Sequence, residues 1–325
     1  MENQPILDTI DPELVDRLAV RRAEIERGTP ASKGVIAALA LGSIPIAMAA
    51  LSKDLYAQSI PAAIKNVLDF ALALEIFENE FYKAVLGTSS SSAQNNAFAT
   101  VRTAAQGVPG AVNTLTQIQK HEAAHVATLL ATGATNVFNL DATSFDFTGN
   151  RSSSGGGPFA KATTDLPFLL QVAQGAEDTG VRAYKGQAAN LMSSPAILEA
   201  ALRIHSVEAR HASRIRRIRR AVAGAPNTVR YSGTVRGGDA AAAGATDLGT
   251  NSAAVTAAFN KIYGAGSDAS TAPSESNVTH AGVNVSTLSL TSGFGIEAAQ
   301  EAFDEPLNRA DVVAIVQPFF IPPIS

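Results

Sequence analysis

The stretch Ile204–Arg216 reads IHSVEARHASRIR and sets a glutamate, Glu208, three residues before a histidine, His211. At helical pitch, residues three apart lie on one face, about 60° apart around the axis, so both side chains reach a common point. Taken alone, such an E-x-x-H more often marks a solvated helix face than a metal site. It does not stand alone here. Lys120–Leu130, KHEAAHVATLL, repeats the spacing with Glu122 and His125. Two further stretches, FALALEIFENEFY (Phe70–Tyr82) and AQGAEDTGVRAY (Ala173–Tyr184), each set a glutamate in apolar helical spacing with a tyrosine seven residues on: Glu75 with Tyr82, and Glu177 with Tyr184. The order Glu, E-x-x-H, Glu, E-x-x-H is the ligand pattern of a carboxylate-bridged two-metal centre inside a four-helix bundle.

Working outward, each stretch sits on a predicted helix with recognisable ends. The first helix starts near Pro61, a good first-turn residue, and stops at Gly87. A polar loop follows over Ser89–Asn96, then a short helix over Ala97–Gln106. The second bundle helix runs from about Pro109 to Thr132 and carries Leu115, Ile118, Glu122, His125 and Leu129 on one stripe. The third begins at Asp165, a candidate N-cap, and fades before Ser193. The fourth opens at Pro195 and ends by Gly224. Between the second and third helices, Gly133–Thr164 is Gly/Ser/Thr-rich and includes SSSGGG at Ser152–Gly157. A bundle of this topology needs one long connection at that point.

The ends of the chain differ in texture. Residues 1–33 form a polar N-terminal tail. Residues 34–58 hold GVIAALALGSIPIAMAAL (Gly34–Leu51), an uncharged stretch interrupted by Pro45, with Ala47-Met48-Ala49 as a small-x-small pattern. This resembles the apolar region of an export signal or an N-terminal apolar helix that anchors to a membrane, so an exported or cell-envelope location is expected over the cytoplasm. Arg21-Arg22 lies upstream, without the apolar residues that usually follow a twin-arginine pair. Residues 61–224 are the predicted bundle and 225–325 a loop-rich C-terminal extension. Helices are expected there at Ser252–Ile262 and Arg309–Val316, before an apolar end, FFIPPIS. The extension is read as covering the bundle or mediating association into a homo-oligomer.

Composition narrows the chemistry. The net charge of −4 gives no case for nucleic acid, and the basic run Arg214–Arg220 reads as a helix end whose cations favour the C-terminal dipole. The chain has no cysteine, which excludes disulfides, thiolate metal sites, iron–sulfur clusters and cysteine nucleophiles. Carboxylate oxygen and imidazole nitrogen suit iron or manganese. Four carboxylates converging in a core would be prohibitively costly without cations, and two divalent ions balance them. The favoured assignment makes Glu75 and Glu177 the lone carboxylates, Glu122 and Glu208 the bridges, and His125 and His211 the caps. Tyr82 and Tyr184, two turns on from the lone glutamates, are candidates to hydrogen-bond those ligands, or are core aromatics. Glu78 lies near Glu75 but off its stripe and is its first substitute. His121, about 100° round from Glu122, is expected at the surface. His205 is an extra ligand, a support for one or neither, and Asp178 either orients an imidazole or is solvated.

The chain resembles the ferritin-like superfamily, and most closely the ferritin-like-domain proteins labelled desiccation-associated. The residues that carry the resemblance are LDFALALEIFENEFY, HEAAHVATLLATG, EDTGVRAYKG and IHSVEARHA, with EAFDEPLNRADVVAIVQPF (Glu301–Phe319) similar to that family's C-terminal segment. The resemblance covers Pro61–Gly224 and, more loosely, the tail. It implies an all-α, ferritin-like four-helix bundle with two iron or manganese ions per chain, and all six ligand positions of the superfamily find a match in Glu75, Glu122, His125, Glu177, Glu208 and His211. The superfamily spans iron-storage ferroxidases, peroxide-reducing proteins, manganese catalases and oxygenases. A redox protein acting on peroxide or dioxygen in stress protection is therefore expected. Without cysteine, a peroxide-reducing member would need an external reductant, and the large loops argue against a hollow storage cage. The rival expectation is a structural envelope or assembly protein in which the metals are internal staples.

Overall fold

Twenty-five residues, Ala62–Leu86, form α1 in the computed structural model, which describes residues 60–151, 156–222, 252–288, 296, 299, 300 and 302–324. The N-terminal tail, the apolar segment Gly34–Leu51, Ser152–Gly155 and residues 225–251 lie outside the described residues. Pro61 precedes α1, where its missing N–H costs nothing. Gly87 ends it in the left-handed region at φ 79°, a conformation open to glycine, and donates its N–H to Ala84 O. Two short helices follow, α2 (Ser92–Ala97) and α3 (Ala99–Gln106). The sequence reading placed a polar loop over most of α2, and the structure corrects it. The Ser91 hydroxyl accepts from Gln94 N, and the Asn95 side chain bonds both the N–H and the carbonyl of Ser89, so local polar contacts close a helical turn that has no apolar stripe.

The remaining bundle helices are α4 (Ala111–Ala131), α5 (Leu166–Gln187) and α6 (Pro195–Val222). Asp165 caps α5 by accepting from Phe168 N at 2.8 Å, with Pro167 in the first turn. Helix α1 packs along α4 and α5 along α6, while α4–α6 and α1–α5 contacts join the two pairs. The chain is thus a four-helix bundle with a long connection between α4 and α5. None of the described helices is long and apolar enough to cross a membrane.

That connection takes its order from the far end of the chain. Phe145 forms an antiparallel bridge with Phe320, Asp146 N donates to Phe319 O at 2.8 Å, and Ile321 N donates to Ser144 O at 2.9 Å. The rings of Phe145, Phe147, Phe319 and Phe320 all pack around Phe77 of α1. The apolar C-terminal residues therefore seal the crossover against the bundle.

Two helices of the extension lie against α5. Helices α7 (Ala253–Tyr263) and α8 (Arg309–Val316) both pack on it, capped by the Ser252 and Asn308 side chains. A two-residue hairpin, β1 (Thr279–His280) with β2 (Val283–Asn284), lies between them in sequence. One arginine anchors the segment: Arg182 of α5, only 1% exposed, donates to the carbonyls of Ile262, Gly264, Pro273 and Glu305 and pairs with Glu275 at 3.0 Å. Close to it, any Cβ at position 186 would lie 1.8 Å from Leu307 O, so Gly186 lets the returning backbone touch the helix.

Candidate metal centre

Each bundle helix delivers its acidic residue to the same depth. Glu75 on α1, Glu122 on α4, Glu177 on α5 and Glu208 on α6 are all 0% exposed, and His125 and His211 are buried with them. Their ligand atoms fall into two groups, each within 4.8 Å: Glu75, Glu122, His125 and Glu208 in one, and Glu122, Glu177, Glu208 and His211 in the other. Glu122 and Glu208 belong to both, which places them between the two points.

The contacts within each group are those of a donor set that could hold a cation. His125 Nδ1 lies 3.0 Å from Glu75 Oε2, 3.1 Å from Glu122 Oε2 and 3.0 Å from Glu208 Oε1. His211 Nδ1 lies 2.8 Å from Glu122 Oε1, 3.2 Å from Glu177 Oε2 and 3.7 Å from Glu208 Oε2. One ring nitrogen carries at most one proton and cannot satisfy three carboxylates. Accordingly Glu122 Oε1 and both oxygens of Glu208 lack a hydrogen bond despite lying within ion-pair distance of an imidazole. Orphaned, fully buried carboxylate oxygens are costly, and a divalent ion at the centre of each group removes that cost. The residues present fit two metal ions of the hard or borderline type.

The two tyrosines are held across the bundle rather than along their own helices. Tyr184 of α5 donates to Glu75 Oε1 at 2.6 Å, and Tyr82 of α1 donates to Glu177 Oε1. Each therefore fixes one oxygen of the other pair's lone glutamate and leaves the second turned toward a histidine. Other residues lie differently from their sequence expectation. Glu78, read as off the stripe, is buried. A methyl group at Gly180 would lie 3.6 Å from its Oε1 and 3.4 Å from Glu208 Oε2, so it borders the site. Its spacing from Glu75, the same three residues as E-x-x-H, was the available signal. His121 is exposed as expected, yet its Nδ1 lies 2.9 Å from His211 Nε2, with the rings stacked. His205 turns away, with Nδ1 3.0 Å from the Val181 carbonyl. Asp178 is neither solvated nor beside an imidazole. It accepts from Tyr263 Oη at 2.6 Å and from Arg216 at 2.7 Å, while Arg219 donates to Gln174 at 2.6 Å. Part of the basic run thus ties α6 to α5 instead of serving only the helix dipole, and Tyr263 brings α7 to the same carboxylate.

Burial and mutual repulsion distort every titration in this cluster when no cation is bound. Burial, with the fields of Glu208 and Glu122, outweighs the pull of His125 and raises Glu75 to about 8. Burial and the surrounding carboxylates raise Glu78, and burial raises Glu177 against the pull of His211. Burial alone would lower both histidines, but the facing carboxylates win and hold them well above the ordinary imidazole range. Glu122 and Glu208 also meet a burial penalty, which the two imidazoles overcome, so both stay low. Without a cation these shifts favour the protonated forms of His125, His211, Glu75, Glu78 and Glu177. Metal ligation needs neutral imidazole and ionised carboxylate, so metal entering the site expels protons and its affinity rises with pH. Titrating manganese into metal-free protein in buffers of different ionisation enthalpy is expected to show proton release near pH 7, with weaker binding at pH 6 than at pH 8. Affinity that is flat across that window would refute this assignment of protons.

Comparison with known proteins agrees with the geometry. Residues 64–221 match the family model described as ferritin-like domain, and that region of the chain is a ferritin-like four-helix bundle with two buried Glu/His clusters compatible with a two-metal site. No curated protein and no solved structure matches the chain.

Proposed function

We propose that this chain is a di-iron or di-manganese redox protein that consumes peroxide or oxidises ferrous iron with dioxygen or peroxide. The observation that carries the reading is the symmetric donor set: two histidines, two lone carboxylates, and two carboxylates whose oxygens face both groups. When bound, a pair of redox-active ions held by Glu75, Glu122, His125, Glu177, Glu208 and His211 would supply the electrons for reduction of a small oxidant. The protein's contributions follow from its own atoms. Glu122 and Glu208, which belong to both groups, would each offer an oxygen to both ions. The hydrogen bonds from Tyr82 and Tyr184 restrict Glu177 and Glu75 to one orientation. The four glutamates are themselves fully buried, in a bundle whose core includes Leu72, Leu115 and Ile215, which limits their access to bulk water.

The deciding experiment is elemental analysis of protein from its native source, followed by peroxide consumption and ferrous oxidation on the same sample. About two iron or manganese per chain with turnover supports the proposal, and the metal's identity separates ferroxidase from catalase chemistry. Two metals without turnover would instead make the ions staples of the bundle.

A further inference from the structure

Beside the centre, between α4 and α6, the surface opens into a cavity of about 350 Å³. This is within the size range of small-molecule sites. Asn113, Gln117 and His121 of α4 and Arg210 and Arg214 of α6 line it, and His211 forms part of its wall. Among the described residues no carboxylate lines it, although the chain as a whole is acidic. The two arginines differ from Arg203 and Arg216 of the same helix. Arg203 is paired with Glu199 and Arg216 with Asp178, whereas neither Arg210 nor Arg214 has an ion-pair partner among the described residues. Two guanidinium forks, the side-chain amides and an imidazole, all able to donate, thus line one concave space that has no carboxylate among its described lining residues.

We infer that this cavity binds a small organic anion, carboxylate or phosphate, one imidazole away from the metal centre. The charge of the ligand meets Arg210 and Arg214, whose planar forks match both anion types. The inner end of the ligand reaches His121, whose Nδ1 is 2.9 Å from Nε2 of His211, and His211 Nδ1 faces Glu122 and Glu177. Occupancy is therefore felt at the centre through the orientation of a single ring. That the anion serves the centre rests on the redox reading above, whereas its binding does not.

The test uses the full chain, metal-free and metal-loaded, titrated calorimetrically at low ionic strength with inorganic phosphate and, separately, with succinate. One-to-one binding of either probe is expected, with shifts of the His121 and His211 ring signals in the NMR spectrum of the metal-free protein. The double variant Arg210→Gln/Arg214→Gln should bind at least tenfold more weakly at unchanged metal content. Tighter phosphate assigns the phosphate class, and tighter succinate the carboxylate class. No binding of either probe up to about 10 mM, equal binding by the double variant, or binding without ring shifts would overturn the inference. Since the metal-free protein is tested as well, failed turnover and failed anion binding are read separately.

Discussion

Replacing Glu208 by alanine is expected to empty both metal positions, not one. Glu208 Oε1 lies beside His125 and Oε2 beside His211, and neither oxygen has a hydrogen bond. Removing the side chain deletes a donor from each group at once. In contrast, Glu75 belongs to one group and Glu177 to the other. Elemental analysis should give about two metals per wild-type chain, near zero for Glu208→Ala, and an intermediate content for Glu75→Ala. Ions that bind only the folded state should, at a hundredfold excess over Kd, raise stability by about 2.7 kcal/mol per site. Thermal unfolding with and without metal should show that gain in the wild type and lose it in Glu208→Ala. A variant that retains two metals would sink the bridging role.

Arg182→Ala is expected to cost about 3–5 kcal/mol of stability and to release the C-terminal segment from the bundle. The guanidinium is almost wholly buried and joins α5 to the carbonyls after α7 and before α8, as well as to Glu275. Truncation leaves those buried acceptors without their donor and the Glu275 carboxylate without its counter-charge, and both losses act at full desolvation cost. Lysine restores the charge but not the fork, so Arg182→Lys should recover only part. The control is Arg203→Ala, since that residue's ion pair with Glu199 is exposed and worth at most about 1 kcal/mol. Chemical denaturation measures the difference, and limited proteolysis within residues 252–324 reports release of the segment. If Arg182→Ala unfolds at the same denaturant concentration as the control, the clamp is not what holds the extension.

Much of the bundle could be read from the sequence because its signals are local. Pro61 and Gly87 bound α1, and Asp165 starts α5, through backbone geometry set within a few residues. The E-x-x-H pairs share a face because helical pitch alone puts residues three apart together. The convergence of Glu75, Glu122, His125, Glu177, Glu208 and His211 follows once four such stripes must bury one another. Contacts between distant segments were decided by the tertiary structure alone. That Tyr82 reaches Glu177 and Tyr184 reaches Glu75 depends on how α1 crosses α5. That Glu78 is buried depends on the space beside Gly180. Arg182 looked like any helical arginine until the carbonyls of a segment far along the chain closed over it. The Gly/Ser-rich crossover, patternless by itself, found its order in Phe319 and Phe320. A single sequence states each residue's periodicity and capping chemistry. It does not state which distant backbone will supply a partner, because that choice is made by packing the whole chain at once.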